Sequence, residues 1–199
     1  MTPEQPEALR VALEVIGCLE ELGIAYHLGG SYASSVHGVP RQTQDVDLVV
    51  DLDESSVVDL LGRLPEGYYR DPDSAREAVR RRASFNLIHL ATGVKLDLFV
   101  AGREPFDREE LARSLEIHLP SAPDRPLRVK SAEDTILRKL EWFRRGGEVS
   151  DRQWGDVLGV LRAQEKTLDF GYLERWAGRL GVADLLERAR RGLDPRSRT

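Results

Sequence analysis

Asp45 and Asp47 stand two residues apart at the head of an apolar run, Asp45-Val-Asp-Leu-Val-Val50. Side chains of an extended strand alternate between faces, so both carboxylates project from the same one. Like charges held side by side repel, and a divalent cation relieves that repulsion. Upstream, Gly29-Gly30-Ser31 follows the short apolar run Ala25-Tyr-His-Leu28 and opens a helical segment. Backbone N–H groups at such a start suit a phosphate. A third acid, Asp97, interrupts the apolar stretch Val94-Lys-Leu-Asp-Leu-Phe-Val100 and needs a partner there. A phosphate cradle beside a carboxylate pair that can hold a divalent cation is equipment for nucleotide chemistry.

These residues need elements to position them. Apolar spacing of three and four over residues 7–22 (Leu9, Ala12, Leu13, Ile16, Leu19) predicts a helix ended by Gly23. A short strand over 25–28, a helix over 31–37 closed by Gly38 and Pro40, and a strand over 46–50 follow. A helix over 55–64 is capped by Asp53 or Ser55, and residues 66–75, with Pro72 and paired aspartates, read as a loop. Strands over 84–91 and 94–100 join through Thr92-Gly93 as a hairpin, with Lys95, Asp97 and Phe99 on one face. Beyond residue 130 the pattern turns helical: 131–145, 151–163, 170–180 and 182–191, the first opened by Ser131 with Asp134 three residues on. The fold class expected is α/β, a small mixed twisted sheet with helices on one face, followed by a C-terminal helical bundle. The expected division is a core over 1–128, a helical subdomain over 129–193 and a frayed tail over 194–199.

Composition sets the bounds. At 199 residues, 41% hydrophobic and 32% charged, the chain suits one globular core with a small helical appendage. No stretch is long and apolar enough to span a bilayer, and Met1-Thr-Pro-Glu-Gln-Pro-Glu lacks the features of a signal peptide, so a cytoplasmic protein is expected. The single cysteine, Cys18, lies among Leu13, Ile16, Leu19 and Leu22 as a packed thiol. A net charge of −5 offers no global attraction to nucleic acid, although Arg76 with Arg80, Arg81 and Arg82, and Arg138 with Lys139, Arg144 and Arg145, form local clusters. His27, His37, His89 and His118 show no ligand spacing, and Trp142, Trp154 and Trp176 read as core or groove fillers.

The pattern Gly-Gly-Ser, then Pro40-Arg-Gln-Thr-Gln-Asp-Val-Asp47, then a lone Asp on a later strand resembles the DNA polymerase beta-type nucleotidyltransferase superfamily over roughly residues 10–162. Within it the chain is most similar to the AbiEii-like branch, which includes toxins of toxin–antitoxin systems. The same Asp-x-Asp-x-Val pattern occurs in phosphatases of the haloacid dehalogenase type, but there the apolar strand runs into the motif. Here polar Gln42-Thr-Gln44 precedes it and the apolar run follows.

The resemblance implies a Mg²⁺-dependent transfer of a nucleoside monophosphate from an NTP to a hydroxyl. It places Asp45, Asp47 and Asp97 on two Mg²⁺ ions and Gly29, Gly30 and Ser31 at the phosphates, with Arg41 and Thr43 on the same side. Lys139 would neutralise triphosphate charge, and Asp156 would orient Lys139 or help remove the acceptor proton. The acceptor implied is an RNA end such as tRNA, or a protein, with an antitoxin as partner. A small-molecule (antibiotic) nucleotidyltransferase and a non-catalytic nucleotide-binding module are the alternatives.

Overall fold

The structure, a computed structural model, describes residues 7–41, 43, 45–119 and 122–192. The tail expected to fray from Asp194 lies outside them. The chain forms two compact units, one from Met1–Gly29 with Gln42–Val129 and the other from Gly30–Arg41 with Lys130–Thr199.

The first unit is built on a mixed sheet. Its strands, numbered in chain order, are β1 (Tyr26–Leu28), β2 (Val46–Val50), β3 (Tyr68–Tyr69), β4 (Ser84–His89), β5 (Lys95–Val100), β6 (Leu115–Leu119) and β7 (Ala122–Val129). Among the described residues the order is β3-β4-β5-β2-β1-β7-β6, with β2–β5 and β1–β7 parallel and the other pairs antiparallel. Alternation decides which face is core: Val46, Leu48, Val50, Leu96, Leu98, Val100, Phe85 and Leu87 are buried. Helices α1 (Glu7–Glu21), α3 (Glu54–Arg63) and α4 (Pro72–Arg81) belong to this core, α1 lying against β2 and α4 against β4. The opposite face carries Asp47, Val49, Asp97 and Phe99, only partly covered. There Glu110 of α5 (Pro105–Ala112) reaches within 3.5 Å of buried His27.

Two stretches depart from expectation. Residues 66–75 hold β3 and the start of α4 rather than a loop: the Asp71 carboxylate accepts from the Asp73 and Ser74 N–H groups, and Pro72 occupies the first turn, where its missing N–H costs nothing. Residues 101–130 gave no element from periodicity, yet α5, β6 and β7 lie there. Prolines at 123 and 126 hide β7, which meets β1 only at Leu28–Val129 and so has a single strand neighbour over most of its length.

The second unit is helical: α2 (Gly30–His37), α6 (Ala132–Arg145), α7 (Asp151–Gln164), α8 (Phe170–Leu180) and α9 (Ala183–Arg191). Its core gathers Ile136, Leu137, Leu140, Phe143, Val157, Val160, Leu161, Leu173, Trp176, Leu185 and Leu186. Ser131 caps α6 by accepting from the Asp134 N–H at 3.1 Å and donates to the Asp134 carboxylate, which also receives the Tyr172 hydroxyl at 2.6 Å. Beyond the last turn of α2, a Cβ on Gly38 would stand 2.9 Å from the Val160 nitrogen and 3.0 Å from the Gly159 carbonyl carbon. That approach is backbone against backbone. Gly38→Ala is therefore expected to destabilise the protein by about 1–3 kcal/mol, read as an earlier urea midpoint with an unchanged m-value. An unchanged midpoint would show that α2 and α7 can separate without cost. Among the described residues no helix is long and apolar enough to cross a membrane.

Candidate functional site

In the first unit, parallel pairing of β2 with β5 sets Asp47 directly beside Asp97 in register, on strands about 4.8 Å apart. The row continues on both sides. Asn86 of β4 pairs with Asp97, and the Gly29 N–H donates to the Asp47 carbonyl at 2.9 Å. Asp45, just before β2, is exposed, and its carbonyl accepts the Thr43 hydroxyl at 2.9 Å, tying the approach to the strand. The Gly29 N–H thus extends the strand pair. The first-turn donors left are those of Gly30 onward, without carbonyl partners inside α2. Gly30 sits at φ 48°, a left-handed conformation that glycine adopts without strain.

Lys95, two residues before Asp97 on the same face, places its ammonium 2.8 Å from the Asp97 carboxylate. That hydrogen bond is the largest influence holding the ammonium above its ordinary value; burial opposes it, while the charges of Asp97, Asp45 and Asp47 add to it. The donor chemistry, carboxylate oxygens on adjacent strands, suits Mg²⁺, and a cation already stands in on one of them. The three carboxylates are not, however, a ready-made cage: among the described residues no three His, Cys, Asp or Glu side chains are gathered to hold a metal ion. Backbone register brings Asp47 and Asp97 together, while the Asp97 carboxylate is engaged by Lys95.

The helical unit holds a second polar constellation. Lys139 of α6 donates to Asp156 of α7 at 2.8 Å, and Arg41 reaches the same carboxylate through Nε at 3.3 Å and Nη2 at 3.2 Å. Arg41 Nη2 also donates to the Ser31 hydroxyl at 2.5 Å, which Arg152 joins at 3.1 Å. Burial alone would push the Asp156 carboxyl up; the hydrogen bonds and charges of Arg41 and Lys139 outweigh it and hold the group below the usual carboxylate range. Three cations thus meet one carboxylate and one hydroxyl at the start of α2. The surplus positive charge there suits an anion. Sequence reading did not single out Arg152, although it lies four residues before Asp156 and so on the same helix face. Lys95 and Asn86 were also passed over as site residues; period two gave the first, while the second needed the pairing register.

The remaining candidates have structural partners. Cys18 is buried, with burial pushing its thiol up and Sγ 3.7 Å from the Arg63 carbonyl. Arg76, Arg80 and Arg81 pair with Asp73 and Glu77 on their own helix, and Arg82 donates to the Leu52 and Ala101 carbonyls. Arg138 and Arg145 both bind Glu141, while Arg144 takes Asp184. Trp176 is core, Trp154 lies 5.2 Å from Phe143, and Trp142 is about half exposed beneath Arg145.

Buried His37 lies 2.7 Å through Nε2 from the Lys130 carbonyl, which can only accept, so Nε2 carries the proton. Burial pushes its pKa below the ordinary 6.5, against the pull of that carbonyl and of Glu133. The unfolded chain therefore binds the proton more readily, and the stability this ring contributes is full above pH 6.5 and lost as pH falls from there through the folded value. His37→Gln should show a shallower loss of unfolding free energy below pH 6.5 than the parent, measured by urea titration at several pH values. Parallel curves would remove His37 from the pH response.

No protein-family model matches the chain, and no curated protein matches it. Among solved structures, the chain is similar to ANT(2'')-Ia in complex with adenylyl-2''-tobramycin, with TM-score 0.55 and 16% identity over 86% of this chain and 97% of that one. It is also similar to an antigenic nucleotidyltransferase-like protein from Paracoccidioides brasiliensis, with TM-score 0.52 and 16% identity over 91% of this chain and 94% of that one. The solution structure of the antibiotic-resistance factor ANT(2'')-Ia aligns with TM-score 0.50 and 14% identity over 92% of each chain. At these identities what is shared is the fold: the chain carries the nucleotidyltransferase type of α/β architecture.

Proposed function

We propose that the protein is a Mg²⁺-dependent nucleotidyltransferase that moves a nucleoside monophosphate from an NTP to a hydroxyl acceptor and releases pyrophosphate. The observation that carries this reading is the register of Asp47 beside Asp97, with Asp45 two residues before Asp47, in a fold shared with nucleotidyltransferases. Asp45 and Asp47 would hold the Mg²⁺ of the NTP, and Asp97 would share in a second Mg²⁺. When bound, these ions supply charge neutralisation on the phosphates and lower the pKa of the attacking hydroxyl. The chain's own groups do the rest. Gly30 and Ser31 offer N–H and hydroxyl donors to phosphate oxygens, Arg41, Arg152 and Lys139 neutralise charge, and Asp156 fixes Arg41 and Lys139 in place.

The AbiEii-like resemblance points to an RNA end or a protein as acceptor, in a toxin–antitoxin setting. A second reading, a small hydroxylated molecule, is favoured by the likeness to ANT(2'')-Ia, which was seen with adenylyl-2''-tobramycin. Incubation with each α-labelled NTP and Mg²⁺ against total RNA, lysate protein and an aminoglycoside panel tests the reaction and separates the acceptors. Label in none of them would leave a nucleotide-binding module. NTP with Mg²⁺ should also stabilise the fold by about 2.7 kcal/mol at a hundredfold excess over its dissociation constant. Equal stabilisation with and without Mg²⁺ would speak against the metal-dependent site.

A further inference from the structure

We infer that Lys95 is an internal counter-ion of the acidic face, a tethered cation that a divalent metal must displace from Asp97 in order to bind. The inference rests on reading Asp45, Asp47 and Asp97 as the metal ligands. Its geometry is local to one strand. Lys95 and Asp97 share a face by period two, the ammonium lies 2.8 Å from the Asp97 carboxylate, and parallel pairing puts Asp47 beside that carboxylate. Extending the same register by one step of two, Asp45 falls at the level of Lys95. One positive charge thus stands at the edge of three negative ones.

Two consequences follow from Coulomb's law. Without metal, the ammonium offsets repulsion between carboxylates that the sheet forces together. With metal, the same charge opposes a free divalent ion arriving at Asp97, and the two compete for one carboxylate. A metal that arrives at Asp45 and Asp47 already neutralised by nucleotide phosphates meets less of that opposition, so Lys95 weighs most on the free ion bound for Asp97. Lys95 is then a positioning residue that sets metal affinity by holding Asp97. Its side chain is 39% exposed, so water and salt screen the competition and limit its size.

The test is Mn²⁺ binding without nucleotide, followed by electron paramagnetic resonance on the parent, Lys95→Met and Lys95→Arg, with circular dichroism as the check on folding. Lys95→Met is expected to bind Mn²⁺ about tenfold more tightly than the parent, and Lys95→Arg to stay within about twofold of it, because the charge is kept. Raising salt should narrow the gap between Lys95→Met and the parent. In the metal-free state Lys95→Met should melt earlier than the parent and recover more on adding Mn²⁺. Folded Lys95→Met with unchanged or weaker Mn²⁺ affinity overturns the counter-ion role while leaving the acidic site standing. Absence of Mn²⁺ binding in all three proteins overturns both.

Discussion

Asp97→Asn is expected to slow nucleotidyl transfer by at least a hundredfold, about 2.7 kcal/mol of transition-state stabilisation, while NTP·Mg²⁺ affinity stays near that of the parent. The expectation follows from the division of labour among the acids. Asp97 would serve chiefly the metal that activates the acceptor hydroxyl, whereas Asp45 and Asp47 would also carry the metal on the triphosphate. Asp47→Asn should accordingly impair both binding and transfer. Stability should barely move in Asp97→Asn: the lost contact with Lys95 is a partly exposed ion pair of small value, and relief of the charge beside Asp47 offsets it. Single-turnover transfer and calorimetric NTP binding on the two variants decide the matter. Undiminished transfer by Asp97→Asn would end the two-metal reading.

Asp156→Asn should act in the opposite sense, on the fold before the chemistry. Its carboxylate accepts from both Arg41 and Lys139 at an 11%-exposed position, so the neutral amide, with one acceptor oxygen in place of two, leaves one guanidinium and one ammonium without their shared counter-charge. A loss of about 1–3 kcal/mol of unfolding free energy is expected at neutral pH. The difference should shrink in acid, because the parent's carboxyl is held below its ordinary range and its contribution is lost as pH falls through the folded value. At the same time the unneutralised cations should bind inorganic tripolyphosphate more tightly than in the parent. Denaturant titration and calorimetry with tripolyphosphate check the two halves separately. Unchanged stability together with weaker tripolyphosphate binding would make Asp156 something other than the tether of Arg41 and Lys139.

What could be read from the chain followed the range of the physics involved. Period two gave the buried and open faces of β2 and β5 and put Asp47 and Asp97 each on an open face, but only the sheet shows that the two strands are parallel neighbours. Helix periodicity gave α6 to α9 within a residue or so, since each has one continuous apolar stripe and a side-chain or glycine boundary. Where proline carried two meanings the reading failed: Pro72 starts a helix that looked like a loop, and Pro126 lies in a strand that lacks a second neighbour along most of its length. Lys95 could be placed beside Asp97 from alternation alone. Its ion pair could not, because alternation sets which face a side chain takes but not which of its neighbours it reaches. Arg152 needed the fold, since its meeting with Ser31 joins positions far apart in sequence.

The parallel register of β2 and β5 also acts as an error check during assembly. Leu96 and Leu98 alternate with Asp97 so strictly that a one-residue slip of β5 would turn the carboxylate into the core and both leucines out of it. A chain misaligned at this point is therefore penalised by solvation long before any substrate is met. The apolar residues that do no chemistry thus guard it: a molecule that has closed its sheet has, by the same act, put Asp47 and Asp97 side by side.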